Sequence, residues 1–157
     1  MTFNTPILWL LFSANFFFVG INTTFYDALY SDSLETVEQA LEQLDKEKST
    51  TTVNAYKGGL TMKKSDYLTS AAKKIATFKV GHKLLEASIK ADPTNVEYRF
   101  IRLTIQEHAP KILKYNKNIA ADKALILKGY RTMNSKTRAY VLDYAKQSTI
   151  LSTKDLK

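Results

Sequence analysis

Two histidines, the glutamates near them and a pair of arginines are the side chains of this 157-residue chain whose spacing could do chemistry. His82 and Glu86 lie four apart and would share a helix face, as a general acid–base pair requires; an exposed contact between neighbouring turns is the plainer reading. Glu107 and His108 adjoin, but two histidines without a His-Glu-x-x-His spacing supply no zinc ligand set, so His108 reads as a histidine at a helix end. The chain has no Gly-x-Ser-x-Gly elbow, phosphate-binding glycine loop or dinucleotide fingerprint, and Gly58-Gly59 does not replace one. Cysteine is absent, which excludes disulfides, thiolate nucleophiles and cysteine zinc sites. No cofactor and no metal are expected.

The stronger constellation is one of recognition. On a helix, Tyr98, Arg99, Arg102 and Gln106 fall in one arc, opposite Val96, Phe100, Leu103 and Thr104. Two guanidiniums and an amide can hold a carboxylate or phosphate in forked geometry, a task to which lysine is less suited. The competing reading, which we prefer, pairs these arginines with the domain's own acids, such as those on a helix from Leu34 to Leu44. Lys111, Lys114, Tyr115 and Lys117 form a second candidate surface, cationic with one aromatic, against which stands a solvated loop.

Those residues need helices to position them, and the sequence supplies helical periods throughout. A short helix is expected over Thr24–Tyr30. Asp32-Ser33-Leu34-Glu35 then reads as a capping box that opens an amphipathic helix on Leu34, Val37, Ala40, Leu41 and Leu44. Lys46–Thr52 is a polar loop before a helix over Val53–Lys64. There Gly58-Gly59, each costing about 1 kcal/mol against alanine, suggests the close approach of a neighbouring backbone. Ser65–Ala72 reads as a loop. A helix over Lys73–Lys90 places Ile75, Phe78, Leu84, Leu85 and Ile89 toward a core, with Gly81 again permitting close packing. Asp92-Pro93-Thr94-Asn95 stops it and caps Val96–His108, which folds back on it and which Pro110 closes. A basic connection, Lys111–Asn118, leads to a helix over Ile119–Met133; Asn134-Ser135 restarts the chain for a last helix carrying Thr137, Tyr140, Val141, Tyr144 and Ala145. The tail from Thr149 is expected to fray. The class is all-α, built of antiparallel helical hairpins.

Length suits one domain after an N-terminal leader. Pro6–Ile21 carries no charge, is shorter than the roughly 18 residues of a membrane span, and sits where a secretory hydrophobic region does. Residues 1–22 therefore read as a signal peptide or anchor, the latter giving membrane association, and 23–157 as one helical domain. A buried helix of that domain is the alternative. Charge is uneven: Met1–Thr50 holds seven acids and two lysines, net −5, and Thr51–Lys157 is net +13, for a total of +8. Such a field attracts anions, among them nucleic acid, lipid headgroups and acidic proteins. An export signal disfavours nucleic acid as the partner.

Gly81, Leu85, Ser88 and Pro93 fall where the second helix of a tetratricopeptide repeat has its small residue, aromatic, second small residue and proline. The segment resembles that helix, and Gly59 with Met62 resembles the Gly-x-x-Tyr pair of the first, although the interval from Gly59 to Gly81 is about ten residues longer than the repeat has. The resemblance implies a degenerate tetratricopeptide-like domain of five to six helices. Over most of the chain, AYKGGLTM, LLEASIKADPTNVEYRFIRLTIQEHAP and ILKYNKNI resemble small exported or envelope proteins of Bacteroidetes. That resemblance implies a helical fold and the periplasm or cell envelope of a Gram-negative bacterium, and no activity. The function these readings favour is a non-catalytic interaction or scaffold module that meets an envelope protein or anionic envelope component. The alternatives are an enzyme or accessory subunit with a helical-cleft site, and a basic module for nucleic acid or anionic lipid.

Overall fold

The computed structural model describes residues 20–156 and is all-helical. In chain order the helices are α1 (Ile21–Tyr30), α2 (Leu34–Lys46), α3 (Thr51–Asp66), α4 (Ala71–Ala91), α5 (Val96–His108), α6 (Ile119–Gly129) and α7 (Ser135–Tyr144), with single 3-10 turns at Lys111–Leu113 and Tyr130–Thr132. Most of the hydrophobic segment read as a leader lies outside the described residues. Its last two residues, Ile21 and Asn22, form the start of α1, where the Asn22 amide donates to the Tyr56 hydroxyl at 2.9 Å and to Glu97 Oε1 at 2.9 Å. Among the described residues, no helix is long and apolar enough to cross a membrane.

Helix starts follow the local chemistry. Thr50, Ser70, Asn95 and Asn134 each turn a side-chain oxygen onto a backbone N–H of the first turn, satisfying donors that the helix itself leaves free. At α2 the cap is Ser33, accepting from the Thr36 N–H, so the expected box from Asp32 to Glu35 does not form. The loop expected over Ser65–Ala72 shrinks to four residues, because α3 runs on to Asp66 and α4 begins at Ala71.

Glycines bring the backbones of α3 and α4 together. A Cβ built on Gly58 would meet Leu85 N at 2.7 Å and Gly81 O at 2.9 Å, and one on Gly81 would meet Met62 N at 2.7 Å. The backbones of α3 and α4 therefore touch, as the paired glycines suggested. α4 packs far more on α3 than on α5, and the principal partner of α5 is α6. The antiparallel pair that dominates is thus α3–α4, not the α4–α5 pair expected from the Ala91-Asp92-Pro93 stop.

The core gathers around α1, α3 and α5. Phe25 stacks on Tyr56 with centroids 4.2 Å apart, Tyr26 stacks on Tyr140 at 4.4 Å, and Phe100 meets the Tyr144 ring edge-on at 5.5 Å. Leu85, Phe100, Ile101, Leu103 and Ile126 are fully buried. Ile75, expected in the core, is 40% exposed, because the first turns of α4 extend past the helices that cover its later ones. The tail does not fray: Leu151 and Leu156 are buried, and Glu107 binds Thr149 through the backbone N–H at 2.6 Å and the hydroxyl at 2.7 Å.

Candidate functional site

α5 is buried nearly all round, and that decides the fate of its polar arc. Phe100 and Leu103 enter the aromatic core, while Tyr98, Arg102 and Gln106, each 3% exposed, pack into the interior from other directions. Arg102 donates from Nε and Nη2 to the two Asp122 oxygens, both at 2.7 Å, and from Nη1 to Glu86 Oε2 at 2.9 Å. Burial opposes the guanidinium charge, but the bonds and charges of Asp122 and Glu86 outweigh it and hold Arg102 above its usual range. Arg99 turns Nε and Nη2 onto the Pro93 carbonyl at 3.2 and 2.7 Å, with Nη1 3.5 Å from Asp122. The arginines tie the Asp92–Asn95 turn, α4 and α6 together.

The stripe is therefore occupied from within. Its acids come from α6 and α4 rather than from α2, the helix expected over Leu34–Leu44; the α2 acids Glu38 and Asp45 pair instead with Lys64 and Lys57. Asp122, 1% exposed, went unrecognised in the sequence; its signal is a lone carboxylate in a helix otherwise apolar and basic. Tyr98 bonds Thr52 through the two hydroxyls at 2.8 Å. Gln106 sits apart from the network, with neither amide atom bonded to a protein group among the described residues.

Of the second candidate set, Lys114, Tyr115 and Lys117 line one depression and Lys111 does not. Tyr115, 9% exposed, donates its hydroxyl to Glu86 Oε1 at 2.7 Å and presents its ring to Phe78 and His82, with centroids 5.5 and 4.9 Å away. Burial, and then the Glu86 carboxylate, push the phenol far above its ordinary range. Above this floor His82, Glu86, Lys114, Tyr115, Lys117 and Asn118 line an open depression of about 320 Å³. Lys114 helps to shape it by adopting a left-handed backbone, φ 50° and ψ 31°, at the end of the 3-10 turn. Lys111 occupies that same turn but does not line the depression. Among the described residues, Lys111, Lys114 and Lys117 are exposed and have no carboxylate within 4.0 Å.

The electrostatics of the depression follow from its floor. Glu86 is its one acid, and Arg102 and Tyr115 already occupy both of its oxygens. The rim cations thus have no internal counter-charge, and an incoming anion meets lysine ammoniums and the Asn118 amide at little competition from the protein. No protein-family model, curated protein or solved structure matches this chain. Within the depression Tyr115 and Glu86 are bonded to each other, and His82 stands beside them at the rim.

The histidines do not converge. His82 lies at the rim just described, and His108, at the far end of α5, turns Nδ1 to the Thr104 carbonyl at 2.9 Å beside a different cavity. Neither arginine lines either hollow. Among the described residues, no three carboxylate or imidazole groups are placed to hold a metal ion. Glu107, adjacent to His108, accepts from Tyr144, Ser148 and Thr149; burial alone would raise its pKa, but these bonds outweigh it and hold the carboxyl below its ordinary value.

Proposed function

We propose that this protein is a non-catalytic interaction module of the bacterial cell envelope that captures an acidic partner protein on the rim formed by His82, Lys114, Lys117 and Asn118. One observation carries the reading: among the described residues the rim lysines have no carboxylate within 4.0 Å, around a floor whose single carboxylate is already bonded through both oxygens. Exposed cations that share a concave surface without internal partners raise the local concentration of anions and speed encounter with them. Carboxylates on a partner would dock against the lysines, while Asn118 and His82 offer hydrogen-bond donors at the edge.

The envelope address rests on the uncharged Pro6–Ile21 segment, and kinship with tetratricopeptide-like hairpins rests on the α3–α4 pair. Gly81 lies at the crossing of that pair and supports the kinship; its partner there is Gly58, whereas Gly59 abuts Ile101 and Phe25. Affinity capture from envelope extract tests the function. The wild-type protein should retain an acidic protein that the Lys111→Glu, Lys114→Glu, Lys117→Glu variant loses at equal thermal stability; an identical captured set from both would overturn the proposal. Fractionation of cells that carry the full-length gene tests the address, and full-length protein in the cytosol with its leader intact would contradict it.

A further inference from the structure

α4 is buried on one side, yet its other side is not the polar face that such a helix ordinarily turns to water. Phe78, Gly81 and Leu85 face inward. Opposite them Ala72, Ala76 and Val80 form one row along successive turns, with Lys79 and Lys83 on one flank and Lys73 on the other, all of them exposed. Ile75 stands at the edge of this face, 40% exposed, and Val80 is 58% exposed. Ile112, 83% exposed, belongs to the 3-10 turn at Lys111–Leu113. That turn runs beside α4, because three residues further on the Tyr115 ring meets Phe78 and His82. Among the described residues these are three of the four large hydrophobic side chains left in solvent; the fourth, Leu142, is on α7.

The charge on this surface has one sign. α4 holds five lysines and a single acid, Glu86, whose two oxygens are taken by Arg102 and Tyr115. Among the described residues no carboxylate lies within 4.0 Å of Lys73, Lys74, Lys79, Lys83 or Lys90. Lysines alone would suit any polyanion, but the aliphatic row between them selects among polyanions. It lies on the outside of one helix, a convex ridge rather than a cleft, and a fluid lipid surface conforms to such a ridge. Isoleucine and valine enter the headgroup boundary, while lysine stems lie along it and place their ammoniums among the phosphates. Each lysine at an anionic bilayer strengthens binding about fivefold.

We infer that the outer face of α4 docks on an anionic phospholipid bilayer, with Ile75 and Val80 in the headgroup region, Ile112 beside them, and Lys73, Lys79 and Lys83 on the lipid phosphates. The face adjoins the basic rim at His82 but uses none of the rim residues, so it does not depend on capture of an acidic protein there.

The chain has no cysteine, so Ala76→Cys places a single environment-sensitive dye in the middle of the face, and Gln43→Cys places one on exposed α2 as a control. Full-length protein carrying either dye is titrated with vesicles of equal parts phosphatidylglycerol and phosphatidylcholine, with pure phosphatidylcholine vesicles, and with decaglutamate peptide. The expected result is a saturable blue shift of the α4 dye on the anionic vesicles, at least about tenfold weaker on phosphatidylcholine, and none of the α2 dye. The N-terminal hydrophobic segment is present in both labelled proteins, so attachment through it does not distinguish the two dyes. Lys73→Glu, Lys79→Glu, Lys83→Glu should weaken the response about a hundredfold or more. Ile75→Gln, Val80→Gln, Ile112→Gln keeps every charge and should weaken it about tenfold. All the changed side chains reach solvent, so circular dichroism and melting of both variants should match the wild type. No shift at saturating lipid, or equal shifts on both vesicle types or of both dyes, would overturn the inference. An unchanged response in the glutamine variant, or an equal shift with decaglutamate, would also overturn it and assign the face to an acidic macromolecule.

Discussion

Arg102 illustrates how one residue can look like a recognition element and serve as a brace. Each of its three guanidinium nitrogens donates to Asp122 or Glu86, and Asp122 is 1% exposed. Arg102→Ala would leave that buried carboxylate with Arg99, 3.5 Å away, as its remaining counter-charge and without its two short hydrogen bonds, a change that costs on the order of 3 kcal/mol. Denaturant unfolding should show it, and a loss below about 1 kcal/mol would mean that the network contributes little. Glu107 makes a prediction in pH. Its folded pKa lies below the ordinary 4.5, so its stabilisation is fully present above that value and fades as pH falls through the folded pKa. Glu107→Gln should therefore melt earlier than wild type at neutral pH, with the gap narrowing as pH falls below the ordinary 4.5. A gap that stays constant with pH would contradict the assigned bonds to Ser148 and Thr149.

At the scale of elements the α3–α4 crossing is the most exacting contact. Gly81→Ala gains about 1 kcal/mol of helix propensity but drives a methyl into the Gly58 carbonyl and the Met62 N–H, backbone groups that cannot rotate aside. Overpacking of this kind costs typically 1 to 3 kcal/mol, so net destabilisation is expected in thermal melts, and a neutral or stabilised variant would show that the helices can separate. This contact was legible in the sequence, since two adjacent glycines within a helical period have few other uses. The bounds of α5 were equally legible, from Asn95 as cap to Pro110 as stop. The surroundings of α5 were not. A helical wheel separates Arg102 from Phe100, but it does not say that neighbouring helices cover both sides, because the acids that answer Arg102 lie 16 and 20 residues away. The tail was misread for the same reason: what fixes Thr149 is Glu107, 42 residues earlier. Truncation after Ser148 removes buried Leu151 and Leu156 together with the Thr149 bonds, and should lower the melting temperature by several degrees, at about 4 to 8 °C per kcal/mol for a domain somewhat smaller than this one.

The whole molecule divides its charge between two uses. Acids of the N-terminal third and the scattered carboxylates beyond it answer some of the cations internally, as at Lys57, Lys64 and Arg102, and a surplus of +8 remains. Lys111, Lys114 and Lys117 carry part of that surplus on one connection, two of them around the depression above Glu86 and Tyr115. This rim was legible as a cluster of basic residues with a tyrosine among them; its concave shape was not, because it depends on Tyr115 folding inward to Glu86. The most direct test of an anion-capturing rim is titration of the full-length protein with a fluorescent decaglutamate peptide at low and at physiological salt. Saturable binding is predicted that weakens as salt rises and is lost in the Lys111→Glu, Lys114→Glu, Lys117→Glu variant, with thermal stability unchanged. Equal affinity of the wild type and that variant for the peptide would contradict the account.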